Sequence, residues 1–146
     1  RHETSLIAID FLKILAPSIV VFHDAARPFL NLRLLEKVIR EAKVYGAATA
    51  AIPVSDTVAY CEDSFVYSYA PRESLYRIQT PQAFRYDIIA DAAKKFEAED
   101  GTKLVFLNNG RVRIVEGDPY CFKITEPKDL DLAKFICQFW KDNQQT

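Results

Sequence analysis

The chain has 146 residues, is 49% hydrophobic and 27% charged, and carries a formal net charge of −1. Such a composition belongs to a folded domain rather than a disordered segment, offers no basic footprint for nucleic acid or an anionic membrane surface, and contains no apolar run near the roughly 20 residues of a membrane helix. The three cysteines (Cys61, Cys121, Cys137) are dispersed without C-x-x-C spacing and the four glycines form no Gly-rich phosphate loop, so free thiols in a reducing cytoplasm are expected rather than a disulfide framework or a metal cluster.

Leu6, Ile7, Ile9, Leu12, Ile14 and Leu15 recur at helical spacing and predict a helix over residues 4–15, stopped by Ala16-Pro17. Residues 18–22 are short and β-branched, the pattern of a strand buried on both faces. Asn31 caps a predicted helix that runs to Tyr45, with Leu34, Leu35, Val38, Ile39 and Ala42 on one face and Gly46 at its end. A second buried strand follows over 47–54, so that strand, helix and strand predict a parallel crossover. Residues 56–69 read as a β-hairpin around Glu62-Asp63-Ser64, apolar enough to need a partner surface. Thr80-Pro81-Gln82 reads as a loop, 86–98 and 102–108 as helices, 112–116 as a strand and 127 to about 141 as a final amphipathic helix capped by Thr125. The alternation predicts an α/β sandwich without repeats or an internal linker.

Three stretches carry candidate chemistry. In "HDAARP", Asp24 follows a buried strand, where ligands of open α/β sheets bind, and a carboxylate there can hold Mg²⁺ together with phosphate oxygens. The simpler alternative is a local Asp24–Arg27 ion pair beside a satisfied core histidine, His23. Arg72 and Arg77 flank the approach to Gln79-Thr80-Pro81-Gln82, and arginine suits bidentate phosphate recognition. Lys123 lies just before the last helix, at what reads as a strand end, where an ammonium can pair with phosphate. A solvated surface position is the alternative for each of these cations.

In order along the chain, "RHETSLIAIDFL", "VVFHDAARPFL", "GAATAAIPVSDTV", "RESLYRIQTPQAFR", "VRIVEG" and "KITEPKDLDLA" resemble the 2-C-methyl-D-erythritol 4-phosphate cytidylyltransferase family and its relatives, the ribitol-5-phosphate cytidylyltransferases. The resemblance implies a Rossmann-like nucleotidyltransferase α/β sandwich with a mostly parallel sheet and a protruding β-arm at about 56–70. Residues 1–146 would be the C-terminal part of a single domain, lacking the N-terminal strands. It implies transfer of CMP from CTP to a polyol phosphate with release of pyrophosphate, Mg²⁺ as cofactor, and a homodimer formed through the arm. By resemblance Asp24 is the Mg²⁺ ligand, Arg27 lies beside the substrate phosphate, and Lys123 faces the α-phosphate. Thr57 and Arg72 contact the polyol phosphate of the neighbouring subunit, and Thr80 belongs to the same substrate region.

The chain departs from the family pattern in three places. It opens on Arg1, contains no methionine and lacks the Gly-rich loop, roughly A-A-G-x-G-x-R-M-G followed by lysine, so by itself it is expected to be inactive. Glu99-Asp100-Gly101-Thr102 stands where Thr-Asp-Asp or Thr-Asp-Glu is frequent, and Cys121 stands where Asn is common, which removes support for a second metal ligand there. "IPVSDTV" and "RESLYRIQTPQAFR" favour methylerythritol phosphate as the acceptor; ribitol 5-phosphate is the alternative. A catalytically dead interaction module and a generic α/β domain are the competing classes.

Overall fold

Five consecutive small residues, 47–51 (Ala-Ala-Thr-Ala-Ala), set the centre of the molecule: all five are buried. The structure, a computed structural model, describes residues 2–143. Side chains that small let helices approach a strand closely from both sides, and the two faces of β2 (Ala47–Pro53) are used in alternation. Ala48 and Ala50 pack with Ala83 and Val115 against Leu34, Val38 and Ala42 of α2 (Leu32–Tyr45). Ala47 faces the opposite layer, built from Ile9 of α1 (His2–Leu12), Ile89 and Ala93 of α3 (Tyr86–Lys95) and Leu104 and Val105 of α4 (Gly101–Leu107). Phe84 belongs to that layer, fully buried with its ring 5.4 Å from that of Phe22. Phe84→Ala is expected to lower unfolding free energy by about 3–5 kcal/mol, read from urea denaturation.

The sheet is four-stranded in the order β1-β5-β2-β6, with β1 at Ile19–Phe22, β5 at Tyr76–Arg85 and β6 at Arg113–Glu116. β5 runs antiparallel to both β1 and β2, while β2 and β6 are parallel. Three of the four strands therefore point the same way. The predicted strand–helix–strand unit is present, but β5 is inserted between β1 and β2. A separate two-stranded sheet forms the arm, β3 (Ala59–Glu62) and β4 (Phe65–Tyr69), joined by Asp63 and Ser64 at φ of 48° and 69°. Two successive positive-φ residues make the primed turn whose twist suits a hairpin. Tyr60, Phe65, Val66, Tyr67 and Tyr69 are all exposed on it.

Local signals fix the helix ends. The Asn31 side chain accepts from Arg33 N at 2.9 Å, and Gly46, at φ 90°, closes α2 by donating to Ala42 O at 2.8 Å. The last helix, α5 (Pro127–Asn143), starts differently from expectation. Thr125 does not cap it; the Asp129 carboxylate reaches back to Thr125 N at 2.8 Å and Glu126 N at 2.9 Å. Those two N–H groups hold the Asp129 carboxyl below its ordinary range. Its contribution is thus present at neutral pH and is lost as pH falls through the lowered value.

Several expectations need correction. Residues 80–82 are not a loop but the middle of β5, and residues 79–84 are all buried. The register explains why a proline is tolerated there: Thr49 pairs with Gln82 but Ala51 pairs with Ile78, so β5 bulges at residues 79–81 opposite Ala50. A bulge needs no ladder N–H from Pro81 and re-aims its neighbours' side chains. β1 is not buried on both faces; Val20 is buried, whereas Val21 opens onto a cavity. The helix expected over 86–98 ends at Lys95, and the one expected over 4–15 gives way to a 3₁₀ turn at Lys13–Leu15.

Candidate functional site

The turn after β1 places Asp24 at the carboxyl end of that strand, opposite the β5 bulge. Arg27 N donates to Asp24 O at 2.9 Å and closes the turn. The Arg27 side chain folds back so that Nε lies 3.4 Å from Asp24 Oδ2, with both side chains about nine-tenths buried. The simpler alternative predicts this pair, and it predicts a satisfied His23, which is also found. It does not predict Lys123. That ammonium comes from the segment between β6 and α5, not from a strand end, and stands 3.4 Å from the same Asp24 oxygen. One carboxylate thus faces two cations brought together from distant parts of the chain.

Thr80 holds this turn from below. Its Oγ accepts the Asp24 N–H at 3.0 Å and lies 3.1 Å from His23 Nδ1, while His23 Nε2 lies 3.0 Å from Arg27 O. Donor–acceptor balance then assigns the imidazole proton. The Arg27 carbonyl can only accept, so Nε2 carries a hydrogen, which in a neutral ring leaves Nδ1 to accept from the Thr80 hydroxyl. With 3% exposure, Thr80 spends its hydroxyl on the Asp24 backbone. Arg27 Nη1 also donates to Cys121 O at 2.9 Å, and Ile124 N donates to Ala26 O at 2.9 Å. The segment carrying Lys123 is therefore tied to the Asp24 turn on both sides of the lysine. Burial pushes the Cys121 thiol above its ordinary value, which keeps it an inert packing group.

The structure brings Asp24, Arg27 and Lys123 together, and Thr80, expected in the substrate region of Thr57 and Arg72, lies beneath the Asp24 turn. Thr57 and Arg72 sit elsewhere, exposed near the base of the arm, with Arg72 Nη1 donating to Ser55 O at 3.0 Å. Among the described residues neither makes a hydrogen bond or ion pair to the Asp24 cluster. Arg77 lies on the exposed start of β5. Sequence reasoning passed over Gln79 and Gln82, whose only signal is two buried amides flanking a proline in an otherwise apolar strand. Gln82 Nε2 donates to Asp100 Oδ2 at 2.7 Å, and Asp100 in turn caps α4.

A cavity of about 280 Å³ adjoins the cluster, lined by three carboxylates, Asp24, Glu99 and Asp100, together with His23, Gln82 and residues of α1. A larger groove of about 520 Å³ lies between α2 and the residues after β6. It shares no residue with the cluster, and its basic wall of Arg33, Lys37 and Arg40 faces Glu116 and Asp118. The first, which opens beside the Asp24 carboxylate and its two cations, is the candidate site. Among the described residues no group of three or more His, Cys, Asp or Glu could hold a metal unaided. A single strand-tip carboxylate fits Mg²⁺, which takes one or two carboxylates and completes its shell with substrate phosphates and water.

A sequence model of the 2-C-methyl-D-erythritol 4-phosphate cytidylyltransferase family matches residues 1–138. The enzyme of that name from Thermotoga neapolitana is 44% identical over 142 residues, covering 97% of this chain and 64% of the relative. Its counterpart from Pelotomaculum thermopropionicum is 47% identical over 130 residues, covering 84% and 55%. The crystal structure of the Thermus thermophilus enzyme superposes with a TM-score of 0.80 at 34% identity, covering 90% of this chain and 67% of that one. The chain spans about 55 to 64% of the length of these two curated relatives. On the match over residues 1–138 and the identity to these relatives, the chain belongs to the 2-C-methyl-D-erythritol 4-phosphate cytidylyltransferase family.

Proposed function

We propose that this chain supplies the phosphate-neutralising part of a cytidylyltransferase that moves CMP from CTP to 2-C-methyl-D-erythritol 4-phosphate in isoprenoid precursor synthesis. The observation that carries the reading is the cluster in which Arg27 and Lys123 both lie 3.4 Å from Asp24 Oδ2. Arg27 and Lys123 together outweigh the one carboxylate they face, which suits the cluster to a polyanion at a strand end, while Glu99 and Asp100 keep the adjoining cavity acidic. In the reaction an acceptor phosphate oxygen bonds to the α-phosphorus of CTP, the bond from that phosphorus to the β-phosphate bridging oxygen breaks, and pyrophosphate leaves. No protein nucleophile is needed, so the protein contributes position and charge. Asp24 would hold Mg²⁺, which when bound neutralises phosphate charge. Lys123, the more exposed of the two cations, is free to turn toward the α-phosphate. Arg27, tied to Cys121 O, remains as a fixed positive wall.

The arm belongs to the same proposal. An exposed hairpin bearing four aromatic rings is marginal alone. A second copy covering it would form a homodimer and bring Thr57 and Arg72 to the acceptor phosphate of the neighbouring subunit. No helix among the described residues is long and apolar enough to cross a membrane, and the free thiols suit a cytoplasmic setting. The test is pyrophosphate release by the intact protein with CTP, Mg²⁺ and each polyol phosphate. Release with methylerythritol phosphate and formation of its CDP derivative is the expected result. Release with ribitol 5-phosphate alone, or with neither acceptor, refutes the assignment.

A further inference from the structure

Gln79 is 4% exposed and lies in the β5 bulge, where its amide is spent on one loop. Nε2 donates to Asp118 O at 2.9 Å and to Cys121 O at 3.3 Å, and Oε1 accepts from Asp118 N at 3.2 Å. An amide that both gives to and takes from the main chain of one residue acts as an extra rung of sheet, here between β5 and the residues after β6. The fit is close. A Cβ on Gly117 would overlap Gln79 Oε1 and press on the Ala51 carbonyl, to which Gly117 N donates at 2.8 Å. Cys121 Sγ adds a second tie, to Thr80 O at 3.3 Å. The Cys121 carbonyl that receives Gln79 also receives Arg27 Nη1 at 2.9 Å, and two residues later Lys123 meets Asp24.

We infer that Gln79 is a positioning residue, which sets the loop bearing Lys123 at the height where Arg27 and Lys123 converge on the Asp24 carboxylate. None of its side-chain hydrogen bonds is to those three side chains; it acts through Asp118 and the Cys121 carbonyl. Its kinetic consequence rests on the cytidylyl-transfer reading. An apolar side chain of the same length fills the space but leaves Asp118 N unmet and removes one bond each from Asp118 O, which keeps Cys121 N, and Cys121 O, which keeps Arg27 Nη1, so the loop is free to shift.

The experiment is a double-mutant cycle in the intact protein, with Gln79→Met, Lys123→Met and the pair, each assayed for kcat and for KM toward CTP. Gln79→Met alone is expected to lower kcat by about 10- to 100-fold with KM changed less, the scale of a displacement near 1 Å. Once Lys123 is absent, the same change is expected to cost less than about twofold, because the two act as one unit. An equal fold-loss in both backgrounds overturns the inference. If Gln79→Met does not fold, Gly117→Ala tests the same rung from its other side and is read by the same cycle. If the wild-type protein makes no cytidylylated product, the functional reading fails separately. Amide exchange then decides: faster exchange confined to residues 117–124 in Gln79→Met supports the inference, and unchanged or uniformly raised exchange overturns it.

Discussion

Asp24→Asn in the intact protein is expected to lower kcat by about 10²–10³-fold while the fold survives. The amide keeps the backbone N–H that Thr80 accepts, because that contact does not involve the side chain. It also keeps a side-chain oxygen for Arg27 Nε. What it loses is the negative charge, and with it both the match to Arg27 and Lys123 and the anionic oxygen that a hard cation requires. The stability cost is expected to be about 1–2 kcal/mol, the scale of one weakened charged hydrogen bond. Titrating Mg²⁺ separates the two roles of the carboxylate. A ligand role predicts that the variant needs much higher Mg²⁺ for half-maximal rate. A purely organising role predicts an unchanged Mg²⁺ requirement with a lower melting temperature, and full retained activity removes Asp24 from the site.

Lys123→Met is expected to lose turnover on a similar scale, about 10²–10³-fold, with almost no change in melting temperature. Its side chain is 37% exposed, and ion pairs that open to solvent contribute only about 0–1 kcal/mol. Arg27 provides the contrast. It is 12% exposed and joins Asp24 to Cys121 O, so Arg27→Met is expected to lower both kcat and stability, the latter by roughly 1.5–3 kcal/mol. Arg27→Lys does not rescue it, since an ammonium lacks the fork that spans both acceptors. Kinetics paired with thermal melts check both statements. A large melting shift in Lys123→Met, with kcat unchanged, places the lysine in the scaffold instead of the chemistry.

Much of this was legible in the residues because the relevant signals are local. Asn31 and Gly46 bracket α2 as their backbone chemistry demands, and the apolar stripe between them is the face that packs on the sheet. The hairpin turn at Asp63-Ser64 is written in its polarity. Asp24, Arg27 and Lys123 were singled out from residue type and place, and the structure brings them together. The loop expected at residues 80–82 shows where local reading stops. Proline argues against a strand when the strand is assumed to be regular, and only the register with β2 reveals the bulge that accommodates it. Thr125 failed as a cap for a similar reason: its hydroxyl donates to the Asp129 carboxylate one turn on, at 3.1 Å, and that full charge also gathers the Thr125 and Glu126 N–H groups.

The sequence alone determined the helices, every strand but β5, the arm, and the types of groups that could neutralise phosphate. Each of those follows from side-chain periodicity, turn chemistry and charge within a few residues of one another. Tertiary structure alone decided that β5 runs between β1 and β2, that Thr80 faces inward to hold Asp24, and that Gln79 ties down the segment bearing Lys123. Those are hydrogen bonds between residues far apart along the chain. Their existence depends on strand order and on a bulge of β5 against β2, neither of which leaves a periodic trace in the sequence.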